Sequence, residues 1–161
     1  MTQTKTEMTI DRDGRQLRIS RQFDAPRERV WRAMTDAQLM PRWWGPAYLT
    51  TTVERLELRP GGRYRFVQRD AEGNEYAFRG EYRAVEPPER LAMSFEFEGM
   101  AGHVVEQVMT LSESGGRTTL TVVEQYPSLE DLEGILQTDM EAGMYESYDR
   151  LDALLRTSGA A

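Results

Sequence analysis

From residue 50 to residue 126 the chain alternates apolar and polar side chains with a period of two. Tyr64 and Phe66 alternate with Arg63 and Arg65. Tyr76, Phe78, Gly80, Tyr82 and Ala84 share one face, opposite Arg79, Glu81 and Arg83. Leu91, Met93, Phe95 and Phe97 repeat the pattern, as do Val105, Gln107, Met109 and Leu111, and then Leu120, Val122, Glu124 and Tyr126. Such runs predict an antiparallel meander with one wet face. Pro60-Gly61-Gly62, Ala71 to Asn74, Glu98 to Gly102 and Ser114 to Gly116 supply turns, and Pro87-Pro88 a break. Thr52, Glu54, Leu56 and Leu58 share the parity of one further strand. Leu17, Ile19 and, after a shift of register, Phe23 predict an earlier one. Met8 to Ile10 can add a short strand ahead of it, across a turn at Asp11 to Gly14.

Helical signals bracket this region. Asp24-Ala25-Pro26 ends the early strand, and Pro26 suits the first position of a helix striped by Val30, Ala33 and Met34. Thr35-Asp36-Ala37-Gln38 predicts a cap for a second short helix, which ends at Trp43-Trp44-Gly45-Pro46. Ser128 to Asp131 and Thr138 to Glu141 read as capping boxes. From Thr138 to about Arg156, the residues Met140, Met144, Tyr148, Leu151 and Leu155 form one helix face. The expected fold is α+β: a curved antiparallel sheet of six or seven strands wrapped on a long C-terminal helix, with two short helices after the first strand. A sheet that grips a helix in this way leaves a cavity between them. Residues 1–15 form a lead, 16–156 a single domain, and 157–161 a tail expected to fray.

The Asp-Ala-Pro, Trp-Trp-Gly-Pro and Arg59-Pro60-Gly61-Gly62 elements stand in an order and spacing that resemble the family of activators of heat-shock protein 90 ATPase homologues, within the START / Bet v 1-like (SRPBCC) superfamily. The resemblance covers about residues 16 to 156. It implies a helix-grip fold, and a small hydrophobic or amphipathic ligand held between sheet and last helix. A co-chaperone-like interaction module is one alternative it implies. Family members that stimulate a heat-shock ATPase carry an additional N-terminal domain, for which this chain has no room. A cyclase- or hydrolase-like enzyme using dispersed cavity groups is the other. The family often has a Gly-Trp pair in its last helix, where this chain has Gly143-Met144.

Charge narrows the partners. The formal net charge is -7, and Lys is nearly absent. Nucleic acid and anionic membranes reward a basic surface, so neither is expected. The absence of Cys excludes disulfides and thiolate chemistry. Residues 1–15 lack the apolar run of a signal peptide, and no window is apolar enough for a span, so a cytoplasmic monomer or homodimer is expected. A single His and no Cys predict no metal site and no cofactor.

The candidate ligand-binding residues are Trp44, Tyr64, Phe66, Phe78, Tyr82, Phe95, Gln107, Met109, Glu124, Met140, Met144 and Tyr148. Met fills irregular space and accepts varied partners, although plain core packing accounts for the same pattern. By parity Glu124, Gln107 and Glu54 point inward, unless the strand ends leave the core. A buried carboxylate can orient a ligand or move protons. His103 either lines the cavity mouth or stands on an exposed loop, without an evident orienting partner. Glu124 and His103 are the catalytic candidates, with Gln107 or Tyr82 to orient a substrate. Gly143 costs its helix about 1 kcal/mol relative to Ala, which suggests that something needs the room.

Overall fold

The computed structural model describes residues 5–157. In chain order the elements are β1 (Glu7–Asp11), β2 (Gln16–Phe23), α1 (Arg27–Thr35), β3 (Thr50–Leu56), β4 (Arg63–Arg69), β5 (Glu75–Glu86), β6 (Arg90–Phe97), β7 (Val105–Ser114), β8 (Arg117–Gln125), α2 (Leu129–Leu136) and α3 (Met140–Arg156). The strands form one curved antiparallel sheet in the order β1-β2-β8-β7-β6-β5-β4-β3. From β3 to β8 each strand pairs with the next, and β2 then pairs with β8. The helix-grip architecture is therefore present, with eight strands where six or seven were expected. The additional edge is β1, the short strand in the lead, paired with β2 from Glu7 opposite Ser20 to Asp11 opposite Gln16. The expected fraying of the tail falls largely on residues 158–161, outside the described residues; Thr157 itself donates its hydroxyl to the Leu154 carbonyl at 2.6 Å.

Local chemistry accounts for the departures. Pro26 stands just before α1 as its extended cap, and its carbonyl accepts the N–H groups of Arg29 and Val30. The second short helix shrinks to a single 3₁₀ turn, Met40–Arg42. Asp36 does not cap it: Asp36 ends α1 and accepts the Gln38 N–H at 2.7 Å in the intervening turn, and the 3₁₀ turn begins after Leu39 without a side-chain cap. Pro41 then lacks the N–H that a longer helix needs. At α2, Ser128 Oγ accepts the Asp131 N–H at 3.0 Å, as a cap should. Before α3, Thr138 forms no capping box. Its hydroxyl donates back to the Ile135 carbonyl at 2.7 Å and accepts the Met140 N–H at 3.2 Å, which joins α2 to α3.

Two irregularities in register redirect side chains. The first lies between Val53 and Arg55, so Thr51 is buried and Val53 and Leu56 pack on the core while Glu54 turns out to pair with Arg65. The inward parity expected of Glu54 is thereby overturned. The second lies between Tyr82 and Ala84, and there Val85 packs against the core.

The core sits between the sheet and the C-terminal half of α3. Leu151, Leu154 and Leu155 are buried there with Ile19, Phe23, Val30, Leu120 and Val122. Arg21 lies on the same β2 face and is only 4 % exposed. It reaches Asp149 at 2.7 Å and Asp152 at 3.7 Å, joining β2 to α3. On the opposite face, Arg65, Arg79 and Arg83 pair with Glu98, Glu96 and Glu106, as expected of a wet sheet face. No helix among the described residues is long and apolar enough to cross a membrane.

Candidate functional site

The single stripe predicted along α3 has two environments. Its C-terminal half packs on the core, but Met140, Gly143, Met144, Ser147 and Tyr148 line a cavity of about 590 Å³. The opposite wall is the apolar face of β4 to β8. Alternation aims Tyr64, Phe66, Phe78, Tyr82, Phe95, Gln107, Met109 and Glu124 at this space, and Trp44 closes over it from the loop before β3. All twelve candidate ligand-binding residues thus line one cavity.

The aromatic wall is cross-linked by ring contacts. Trp44 meets Phe66 and Phe78 edge to face, at centroid distances of 5.2 and 5.3 Å. Phe78 stacks on Phe95 at 5.4 Å. Tyr64 spends its hydroxyl on the Ser94 carbonyl. Its ring occupies the space beside Gly80, where an added Cβ would lie 2.5 Å from the Tyr64 hydroxyl and 2.0 Å from the Ser94 oxygen. Gly80 is therefore required by close approach. Gly143 is the reverse case, since a Cβ there would meet open space.

The Trp-Trp-Gly-Pro loop is bolted to α3. Trp43 donates its indole N–H to the Ala33 carbonyl at 2.8 Å and stacks on Tyr148. Gly45, at φ 88°, donates its N–H to Ser147 Oγ at 2.6 Å, and its carbonyl accepts from Arg150 at 2.6 Å. The Ala47 N–H reaches Glu146 at 2.6 Å. These bonds hold Trp44 over the cavity.

One polar cluster interrupts the apolar wall. Leu17, Glu124, Gln107, Met93 and Tyr82 are successive cross-strand partners on β2, β8, β7, β6 and β5. Gln107 Nε2 donates to Glu124 Oε2 at 3.1 Å, and the Tyr126 hydroxyl donates to Glu124 Oε1 at 2.9 Å. Glu124 is enclosed by protein and keeps accessible surface where it lines the cavity. Desolvation pushes its carboxyl above the usual range, partly offset by the Tyr126 bond. Burial also raises the Tyr82 and Tyr148 phenols, so both stay neutral donors at ordinary pH.

His103 is not on the cavity wall. It is exposed, and Nδ1 lies 2.8 Å from Asp131 Oδ2 at the start of α2. The orienting partner that the sequence did not reveal is therefore Asp131, and the structure does not bring His103 and Glu124 together. Among the described residues no group of three or more His, Cys, Asp or Glu side chains is placed to hold a metal ion.

The sequence reading missed the rim. Tyr48, 74 % exposed, stands there with Leu49 and with Asp70, which accepts the Tyr76 hydroxyl at 3.2 Å. Loop residues carry no periodicity, so no pattern marks Tyr48. Tyr76 was legible as the first member of the β5 inward set.

The comparisons with known proteins agree with this fold. Protein Ms6760 of Mycobacterium smegmatis is 30% identical, with a TM-score of 0.86 over 97% of this chain and 99% of its own. A protein of Rhodobacter sphaeroides is 26% identical, with a TM-score of 0.87 over 94% of this chain and 97% of its own. A protein of Arthrobacter aurescens is 26% identical, with a TM-score of 0.86 over 92% of this chain and 90% of its own. No curated protein matches the chain. The family model described as "Activator of Hsp90 ATPase homolog 1-like protein" matches residues 24–156, from the turn before α1 to the last residue of α3, and the chain belongs to that family.

Proposed function

We propose that this domain binds a small apolar or amphipathic molecule in the cavity between the sheet and the N-terminal half of α3. The observation that carries the reading is the cavity's size and wall. Protein interiors are close-packed, with few voids larger than a water molecule. The space here, open to solvent at the Tyr48 and Asp70 rim, is about 590 Å³ and is walled by aromatic and Met side chains. It falls in the range of small-molecule sites, which are mostly apolar with a few convergent polar groups. Here those groups are Glu124, Gln107 and the Tyr82 and Tyr148 hydroxyls.

A second reading, chemistry on the bound molecule, is favoured by Glu124 alone. A carboxyl with a raised pKa inside an apolar cavity is suited to giving or taking a proton.

Native mass spectrometry of freshly purified protein tests the binding reading. The expected result is a discrete mass excess that disappears on denaturation and that Met144→Trp reduces. Unliganded protein that also takes up no apolar molecule on titration would overturn it.

A further inference from the structure

We propose that the molecule this cavity takes is a lipophilic amine: an apolar, ring-bearing body against the aromatic wall, with one amino or ammonium group donating to Glu124. The inference rests on the ligand-binding reading above and names the ligand class.

Charge is the first observation. The charged side chains on the cavity lining are Glu124 inside and Asp70 at the rim, both carboxyl groups. No Lys, Arg or His side chain lines it among the described residues. Arg150 commits its guanidinium to the carbonyls of Gly45 and Arg42 and is not on the lining.

Hydrogen-bond polarity is the second. Each Glu124 oxygen already accepts one bond, from Gln107 Nε2 at 3.1 Å or from the Tyr126 hydroxyl at 2.9 Å. A carboxylate oxygen has two lone pairs, so each keeps one acceptor site. A ligand donor fills those sites. A ligand carboxylate meets like charge there in a desolvated place, which is costly.

The wall is the third. Trp44, Phe66, Phe78 and Phe95 form a joined aromatic surface that suits the ring-bearing body of such a ligand. Burial pushes the Glu124 carboxyl up, and a neighbouring ammonium is the partner that favours its ionised form.

Two features on the lining would also serve an acceptor: the Tyr82 and Tyr148 hydroxyls, which accept as well as donate, and the N-terminus of α3, where helix amides attract anions. Two of its N–H groups are engaged within the chain. Met140 donates to Thr138 Oγ1 and Gly143 to the Asp139 carbonyl, and Glu141 and Ala142 are exposed and off the lining.

A matched probe series tests the proposal: pyrenebutylamine, pyrenebutanol and pyrenebutanoate, titrated into the wild type and Glu124→Gln, with neutral Nile red as a reference. The amine should bind at least about tenfold tighter than the butanoate. In Glu124→Gln that advantage should fall to about threefold or less, while the alcohol is little changed. A smaller wild-type advantage, or one that survives in the variant, overturns the proposal. The wild-type ranking is decisive whether or not the variant folds. Nile red separates the two levels of the argument. If it binds but the amine is not preferred, the ligand class is wrong and the cavity reading stands. If neither Nile red nor any pyrene probe binds, the cavity reading itself fails.

Discussion

Gln107 and Glu124 face each other across β7 and β8 as direct cross-strand partners, and the Gln107 amide donates to the Glu124 carboxyl at 3.1 Å. The pair puts an ionisable group into an otherwise apolar cavity wall, and its pH dependence follows. Burial raises the carboxyl in the folded protein above its value in the unfolded chain. The stabilising contribution of the neutral acid is thus complete at pH values below the unfolded value. It is lost as the pH climbs through the folded one. Glu124→Gln keeps the shape and removes the titration. The melting temperature of the variant minus that of the wild type should become more positive from about pH 4 to about pH 8. A difference that is flat, or that falls with pH, contradicts the burial of Glu124.

Two glycine substitutions should have opposite signs. Gly143→Ala places a methyl in open cavity space and removes a helix penalty, so it should stabilise by about 1 kcal/mol. Gly80→Ala drives a Cβ to 2.0 Å from the Ser94 oxygen, so it should cost more than about 2 kcal/mol. Urea denaturation of both variants checks the pair. Equal signs would contradict the placement of the cavity beside Gly143 or the close approach at Gly80.

Arg21 should matter more than any arginine on the wet face. It is 4 % exposed and bridges β2 to Asp149 and Asp152 of α3. Arg21→Met should cost about 2 kcal/mol, because it removes the charge-assisted bonds that join β2 to Asp149 and Asp152, although Asp152 keeps Arg156 at 2.8 Å. Arg83→Ala, on the exposed face, should cost less than about 1 kcal/mol. Chemical denaturation yielding similar values for the two would contradict the joining role of Arg21.

The cavity wall was legible because strand alternation is a local property. Phe78, Phe95, Gln107, Met109 and Glu124 lie on regular stretches of strand, Tyr82 stands just before the irregularity in β5, and parity aimed each at the cavity. Of the two readings open for Glu54 the solvent-facing one holds, but through the irregularity beside it and not through a strand end, and a bulge of that kind leaves no mark in composition. The stripe from Met140 to Leu155 was visible as one face. Its division into a packed half and a cavity half depends on how far the sheet curves away, which is a tertiary matter. The shift of register expected before Phe23 is absent, since β2 pairs with β8 without interruption, so Arg21 shares parity with Leu17, Ile19 and Phe23 and its burial was readable as a conflict between pattern and charge. Its partners on α3 were not, since they lie 128 and 131 positions away. Separations of 102 and 28 positions hid the Gly45 bond to Ser147 and the His103 pairing with Asp131.

The central claim is that the space beside Met144 is open to a ligand and is not packed core. Nile red titration of the wild type and Met144→Trp, with a melting curve for each, tests it most directly. The account predicts saturable one-to-one binding by the wild type. Met144→Trp should weaken it at least about tenfold with stability kept or raised, because the indole fills a void and regains dispersion contacts. A wild type that binds no Nile red, together with a variant destabilised by about 1 to 3 kcal/mol through overpacking, would contradict it.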